Sequence, residues 1–304
     1  MKLGKRLFIF VLIGLAASMP VNVCAQQPVI QVVTTFDYPG QGNSTIAFGI
    51  NNRGDIAGDF VDSNNIQRGY IRYRDGSFSA PLVEPNDTGN ITRGLGINYF
   101  RVVSGTYFSN TDNAFHGFLF NSGIFTSYDI NSLPTSANGI NDWGHVVGTF
   151  GSATQSNQGF LKLGGILKSF TVPGSAETRA IGVNNFDTIV GRYLDGGNIN
   201  HGYIRNWNGS LTFPLDYPGA TFTTMNGVND FGLIVGLYRD GAGKEHGFLL
   251  KRPNTFVPFD YPNAAGTSLN GINDEGFISG RYTDSSGIRH ALIARVRYAS
   301  DNDD

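Results

Sequence analysis

The tripeptide Gly-Ile-Asn, or its near copy Gly-Val-Asn, occurs six times, beginning at Gly49, Gly96, Gly139, Gly182, Gly227 and Gly271, at intervals of 47, 43, 43, 45 and 44 residues. A second glycine follows nine residues after the first in every copy, at Gly58, Gly105, Gly148, Gly191, Gly236 and Gly280. Register is therefore kept inside the unit as well as between units. Such a repeat confines the chain to architectures in which each unit buries its apolar face against its neighbours. A period in the forties with β-type composition is that of a four-stranded blade, so the sequence predicts an all-β, six-bladed β-propeller.

The fifth copy shows how a blade is written. Thr224 to Asn229 and Leu233 to Tyr238 read as two short strands, joined by a turn in which Asn229 bonds its own backbone and Gly232 takes positive φ. Asp240-Gly241 opens the next turn, His246 to Leu250 is a third strand and Thr255 to Phe259 a fourth. The strand glycines are expected to let neighbouring blades approach near the axis. The sixth copy stops after its third strand, His290 to Val296, whereas Val29 to Pro39 (VIQVVTTFDYP) matches the fourth strands that end at Pro218 and Pro262. The N-terminal strand is therefore expected to pair with the last blade and close the ring, which removes two open sheet edges.

Lys2, Lys5 and Arg6 precede an apolar run from Leu7 to Ala17, and Val23-Cys24-Ala25 offers a signal-peptidase site. Residues 1–25 read as a secretory signal cleaved after Ala25. The weaker alternative, lipidation at Cys24, lacks a small residue directly before the cysteine. Residues 26–299 are then one propeller domain and 300–304 an acidic tail. The expected protein is secreted, extracellular or periplasmic, monomeric and without a membrane span. Residues 1–25 hold three of the 22 basic groups and none of the 24 acidic ones, so the mature net charge is −5. No basic patch points to nucleic acid. Cys24 is the only cysteine, so packing alone must hold the mature fold.

The stretch Gly227 to Phe248 (GVNDFGLIVGLYRDGAGKEHGF) resembles the extracellular repeats named for a His-Ala-Phe motif, the HAF repeats. The motif stands here as His116-Gly-Phe118, His201-Gly-Tyr203, His246-Gly-Phe248 and His290-Ala-Leu292. Copies one and three depart from it, with Arg68 and Gln158 in the histidine slot. The resemblance covers nearly the whole mature chain. It implies a secreted bacterial repeat protein and brings no catalytic residue with it.

Three of these histidines have an aspartate six residues earlier: Asp195 with His201, Asp240 with His246 and Asp284 with His290. They read as ties across the turn between the second and third strands, against an alternative as metal sites or acid–base couples. One carboxylate and one imidazole per loop fall short of a metal's ligand set, so no metal and no cofactor is expected. An enzyme of the glycosidase kind needs two carboxylates about 5 to 9.5 Å apart. Of the four glutamates, Glu245 and Glu275 fall in turns, whereas Glu84 and Glu177 lie in connections into a first strand.

Binding without catalysis has candidates on the same face. Arg93 and Arg179 each stand three residues before the repeat glycine, and two guanidiniums at one axial mouth would favour an anionic ligand. Tyr38, Tyr217 and Tyr261 share an Asp-Tyr-Pro slot, either as a stacking row for sugar rings or as packing against the next blade. Trp143 and Trp207 are expected on the opposite face. The reading is a non-enzymatic propeller that binds an extracellular carbohydrate or protein surface; the alternative is a carbohydrate-active hydrolase or lyase with Glu84 or Glu177 in an axial site.

Overall fold

A computed structural model describes residues 27–40, 44–152 and 155–298; the expected signal peptide and the acidic tail lie outside these residues. Strand β1 (Val29–Phe36) comes first. The first repeat gives β2 (Ser44–Ile50), β3 (Ile56–Val61) and β4 (Gln67–Arg72), and the second gives β5 (Thr92–Ile97), β6 (Val103–Ser109), β7 (Ala114–Asn121) and β8 (Ile124–Ser127). The third forms β9 (Thr135–Ile140), β10 (Val146–Ser152), β11 (Gln155–Leu163) and β12 (Ile166–Phe170). The fourth forms β13 (Glu177–Val183), β14 (Ile189–Leu194), β15 (Asn200–Arg205) and β16 (Leu211–Thr212). The fifth forms β17 (Phe222–Val228), β18 (Leu233–Arg239), β19 (Glu245–Lys251) and β20 (Thr255–Phe259), and the sixth β21 (Gly266–Ile272), β22 (Phe277–Thr283) and β23 (Arg289–Arg297). Among the described residues no helix is long and apolar enough to cross a membrane.

Repeats two to five each make one antiparallel four-stranded sheet in sequence order. In the sixth, β1 pairs antiparallel with β23, Val29 opposite Arg297 and Phe36 opposite Ala291. A single parallel bridge, Ser44 to Arg289, links that sheet to the first repeat. The first repeat departs from the expected four strands. Its fourth position is held by an irregular segment that bridges β4 at Phe78 and Leu82 and bonds Ile71 through Ser79, short of a regular strand because Pro81 removes a donor from the ladder.

The repeat asparagine explains its own presence. In each turn after a first strand, its Oδ1 accepts backbone N–H groups of its own turn, as Asn184 does from Phe186 and Thr188 at 3.0 and 2.9 Å. Its Nδ2 donates to the backbone carbonyl of the next repeat's asparagine, from Asn51 to Asn98, Asn141, Asn184, Asn229 and Asn273 in turn, at 2.9 to 3.2 Å. Asn273 then donates to the carbonyl of Asn51 at 3.0 Å. These amides are buried. An aspartate would keep the turn and lose the donor, which is why the slot calls for asparagine.

The two glycines have different tasks. A Cβ on the first would meet backbone of the next repeat, as at Gly182, 3.1 Å from the Cα of Gly227. That is the close approach expected near the axis. The second glycine faces its own sheet, contrary to that expectation: a Cβ on Gly236 would lie 2.1 Å from the Thr224 carbonyl oxygen and 2.6 Å from the Phe248 ring. It makes room for the fully buried aromatic of the third strand, Tyr70, Phe118, Phe160, Tyr203 or Phe248. Apolar clusters then span neighbouring repeats, as when Val235 and Leu249 of the fifth pack with Leu269, Ile278 and Leu292 of the sixth.

Candidate functional site

A cavity of about 330 Å³ lies among the first strands. The register between first and second strands breaks just before each repeat glycine, in β13 between Ala180 and Gly182 and in β17 between Met225 and Gly227. Such a bulge re-aims one side chain. The bulged residues, among them Leu95, Asn138, Ile181, Asn226 and Asn270, line the cavity wall. Asn138 and Asn270 spend their amides on the carbonyls of Ala180 and Ala47, so the wall is rigid and its polar groups are already paired.

At the end where the first strands begin, three guanidiniums line the cavity: Arg179, Arg192 and Arg281. Arg179 and Arg192 stand directly opposite each other in the β13–β14 ladder. Arg179 pairs with Glu177, and Arg281 with Glu245 at 2.7 Å. Among the described residues Arg192 has no carboxylate partner. Burial, with the neighbouring Arg179 and Arg239, pushes its pKa down to about 10. Its guanidinium lies 5.7 Å from the Phe222 ring, the distance of a weak cation–π contact.

Asp59 occupies in β3 the slot that Arg192 and Arg281 occupy in β14 and β22, one residue past the second glycine. It is buried, and burial lifts its pKa to about 6 against the opposing pull of Arg93, Gln67, Arg289 and Arg281. Around this rim six arginines (93, 179, 192, 239, 281 and 289) face three carboxylates (Asp59, Glu177 and Glu245). The rim therefore attracts anions.

Of the arginines and glutamates picked out in the sequence, only Arg179 lines the cavity. Arg93 is turned to Asp59, at 3.4 Å. Glu84 is buried as a turn cap, its carboxylate accepting the backbone and side-chain amides of Asn86 at 2.6 and 3.2 Å. Glu177 is taken up by Arg179 and by Asn157 at 3.1 Å. The convergence of Glu84 and Glu177 with both arginines that an axial hydrolase requires is not formed. Arg192 and Arg281 were missed, although the signal was present: they occupy one repeat slot, filled elsewhere by Asp59, Thr106, Thr149 and Leu237.

The tyrosines pack. Tyr217 stacks on Tyr238 with centroids 3.6 Å apart, Tyr261 on Tyr282 at 3.9 Å, and Tyr38 on Phe60. In each case the fourth-strand tyrosine of one repeat covers the second-strand aromatic of the next, so these rings do not form an open row. The second-strand ring in turn stacks on the histidine, as Tyr193 does on His201, Tyr238 on His246 and Tyr282 on His290.

Each expected aspartate reaches its histidine through Nε2: Asp195 to His201 and Asp240 to His246 at 3.3 Å, and Asp284 to His290 at 3.5 Å. The aspartates also cap their own loops, as Asp195 does by accepting from Gly197 and Ile199. A second carboxylate went unread. The aspartate of Asp-Tyr-Pro holds Nδ1, Asp216 at 2.7 Å from His201, Asp260 at 2.9 Å from His246 and Asp37 at 2.9 Å from His290. His116 repeats the clamp with Asp112 and Asp129. In the first repeat Arg68 replaces the histidine and pairs with Asp62 at 3.0 Å.

No protein-family model matches the sequence, and no curated protein matches it. Solved structures do. TolB from Acinetobacter baumannii is similar with a TM-score of 0.54 at 14% identity; the match covers 84% of this chain, which spans 65% of TolB's length. An Aleuria aurantia lectin solved with Fucα1-6GlcNAc matches at 0.53 and 11% identity over 84% of this chain and 94% of the lectin. The β-propeller domain of a trilobed protease from Pyrococcus furiosus matches at 0.51 and 8% identity over 86% of this chain and 97% of that one. At such identities the likeness bears on fold alone, and the fold is that of a β-propeller.

Proposed function

We propose that this chain is a secreted, six-bladed propeller of the HAF-repeat kind, closed by β1 on β23, which binds an acidic carbohydrate at its axial cavity without catalysing a reaction. Six blades and closure are supported by the asparagine circuit, whose last amide returns to the first repeat, and by the pairing of β1 with β23. The observation that carries the ligand is Arg192: a partly buried guanidinium with no carboxylate partner among the described residues, opposite a second arginine, in a cavity with rigid walls. An entering carboxylate or sulfate would relieve the repulsion and take bidentate hydrogen bonds. The apolar bulge residues Leu95 and Ile181 offer contact to a ring. That a related architecture carries a sugar in the Aleuria lectin agrees with this reading.

The test is calorimetric titration with acidic and neutral oligosaccharides. Uronic-acid or sulfated sugars are expected to bind, weakening with salt, and Arg192→Ala is expected to lower affinity about tenfold or more. If acidic sugars bind the Arg192→Ala protein as well as the parent, the axial assignment is wrong.

A further inference from the structure

The opposite face of the molecule carries a second concentration of binding chemistry. Two residues past the repeat asparagine, four consecutive repeats place a large ring in solvent: Phe100, Trp143, Phe186 and Phe231 are 66, 72, 64 and 77% exposed. Four exposed rings recur at one repeat slot on successive repeats, a pattern rather than a scatter of single apolar residues. Their backbones are fixed, since the amides of Phe100, Trp143 and Phe186 donate to the asparagine Oδ1 of their own turns at 3.0 to 3.1 Å. The indole of Trp143 also donates to the Asn185 carbonyl at 3.1 Å.

Beside this crescent lies a groove of about 850 Å³ spanning the fourth to sixth repeats, within the size range of small-molecule sites. Its aromatic lining is Phe186, Phe231, Tyr298 and Trp207, the last 71% exposed. The charged lining is balanced: Lys251, Arg252 and Arg295 against Asp230, Asp274 and Glu275. A polyanion or an anionic lipid surface would meet as many carboxylates as cations. Three of the rings stand next to a polar turn residue, in Asp142-Trp143, Asn185-Phe186 and Asp230-Phe231, whereas Phe100 follows Tyr99, whose ring meets it edge-on at 5.6 Å. Alternation of ring faces with planar hydrogen-bonding groups matches a chain of pyranose rings, whose C–H faces stack on the aromatics and whose hydroxyls both donate and accept.

We infer that this groove is a binding site for a neutral oligosaccharide, separate from the cationic axial cavity. The inference shares with the proposed function only the premise that the chain binds sugars, so the two are tested with different ligands and variants.

The probes are neutral hexasaccharides, namely β-1,4- and β-1,3-glucan, β-1,4-mannan, β-1,4-xylan and β-1,4-linked N-acetylglucosamine, titrated against the whole chain by calorimetry and tryptophan fluorescence. At least one is expected to bind and to perturb the fluorescence. Phe186→Ala with Phe231→Ala, and separately Trp207→Ala, should each weaken it about tenfold with unchanged melting, while Arg192→Ala leaves it intact. The inference is overturned if no hexasaccharide binds, if binding survives both aromatic changes, or if Arg192→Ala removes it. Concentration-dependent self-association that depends on Phe186 and Phe231, with no sugar bound, would assign the face to a second copy instead. Loss of acidic-sugar binding alone would sink only the axial reading.

Discussion

Tyr38 lies flat on Phe60, ring centroids 3.8 Å apart and planes within 4°. Tyr38 follows β1, whose ladder partner is β23, whereas Phe60 belongs to β3 in the first repeat. The N-terminal segment thus holds the last sheet by its backbone, with Asp37 on His290 at 2.9 Å. It holds the first repeat by two rings, Phe36 against Tyr70 and Phe78 and Tyr38 on Phe60, and by the hydrogen bonds that Tyr38 donates to Thr45 Oγ1 and the Ser79 carbonyl at 3.0 Å.

Removing that segment should therefore be costly. A chain beginning at Gln41 exposes the edge of β23 and is expected to melt far lower than the mature protein or to aggregate. Deletion of Ser300 to Asp304 should change stability by no more than about 0.5 kcal/mol, as for exposed sites. Thermal melts of both truncations decide it, and equal melting of the N-terminally deleted and mature proteins would refute the role given to β1.

The asparagine circuit makes a second prediction. Asn141→Ala removes donors to the Asn184 carbonyl and the Asp187 carboxylate, at 3.0 and 3.1 Å, and strips the acceptor from the amides of Trp143 and His145. Groups left unpaired in a buried site give a loss of about 2 to 4 kcal/mol. Lys168→Ala, on an exposed stretch of β12, is expected to cost under about 0.5 kcal/mol. Urea unfolding compares the two, and similar midpoints would mean that the circuit does not bear on stability.

For the second glycine the expectation is steric. Gly236→Ala puts a methyl 2.1 Å from a backbone oxygen and should destabilise by about 3 kcal/mol or more. Gly241→Ala, with nothing within 4 Å of the added carbon and no positive φ, should be neutral or stabilise by about 0.4 to 1 kcal/mol. Chemical denaturation of the pair checks the sign of each.

The histidine clamps give a pH dependence. Burial pulls the pKa of His201 down, but the hydrogen bonds and charges of Asp216 and Asp195 outweigh it, and the net shift is upward. A raised folded-state pKa means that the native state holds the proton more tightly. The stabilisation is then fully present below the unfolded pKa of about 6.5 and is lost as pH rises through the folded value. His201→Gln should accordingly lower the melting temperature more near pH 5.5 than near pH 9. A difference independent of pH would show that the clamp acts through neutral hydrogen bonds alone.

How far the sequence could be read follows from which contacts are local. The turn chemistry of Asn229 and Gly232 acts within five residues; the asparagine recurs in all six repeats and the glycine in four, with Arg101 and Asp187 taking its positive φ in the other two, so the turns are legible in the sequence directly. Likewise the copy of a fourth strand at Val29 to Pro39 was visible as a repeat fragment out of place. Contacts that depend on register between strands were less legible. Arg192 meets Arg179 only because the ladder of β13 and β14 sets them opposite each other after a one-residue bulge, and no spacing in the chain states that bulge. The Nδ1 partner of His201 lies 15 residues on, across the turn to β16 and past Pro214, so local spacing shows the nearer Asp195 and hides Asp216. The sequence leaves the tyrosines of Asp-Tyr-Pro open to two readings because a ring's partner sits in the next repeat.

The pairing of β1 with β23 also bears on how the molecule would respond to force. The two strands run antiparallel, with Val29 opposite Arg297, so the outer ends of this pair emerge side by side at one end of the ladder. A load drawn through those two points opens the ladder one hydrogen-bonded pair at a time, like a zipper. Were the strands parallel, the same load would shear every bond at once. Tethered by its ends under flow, this protein would yield first at its last sheet and at low force, with the asparagine circuit the next element to bear the strain.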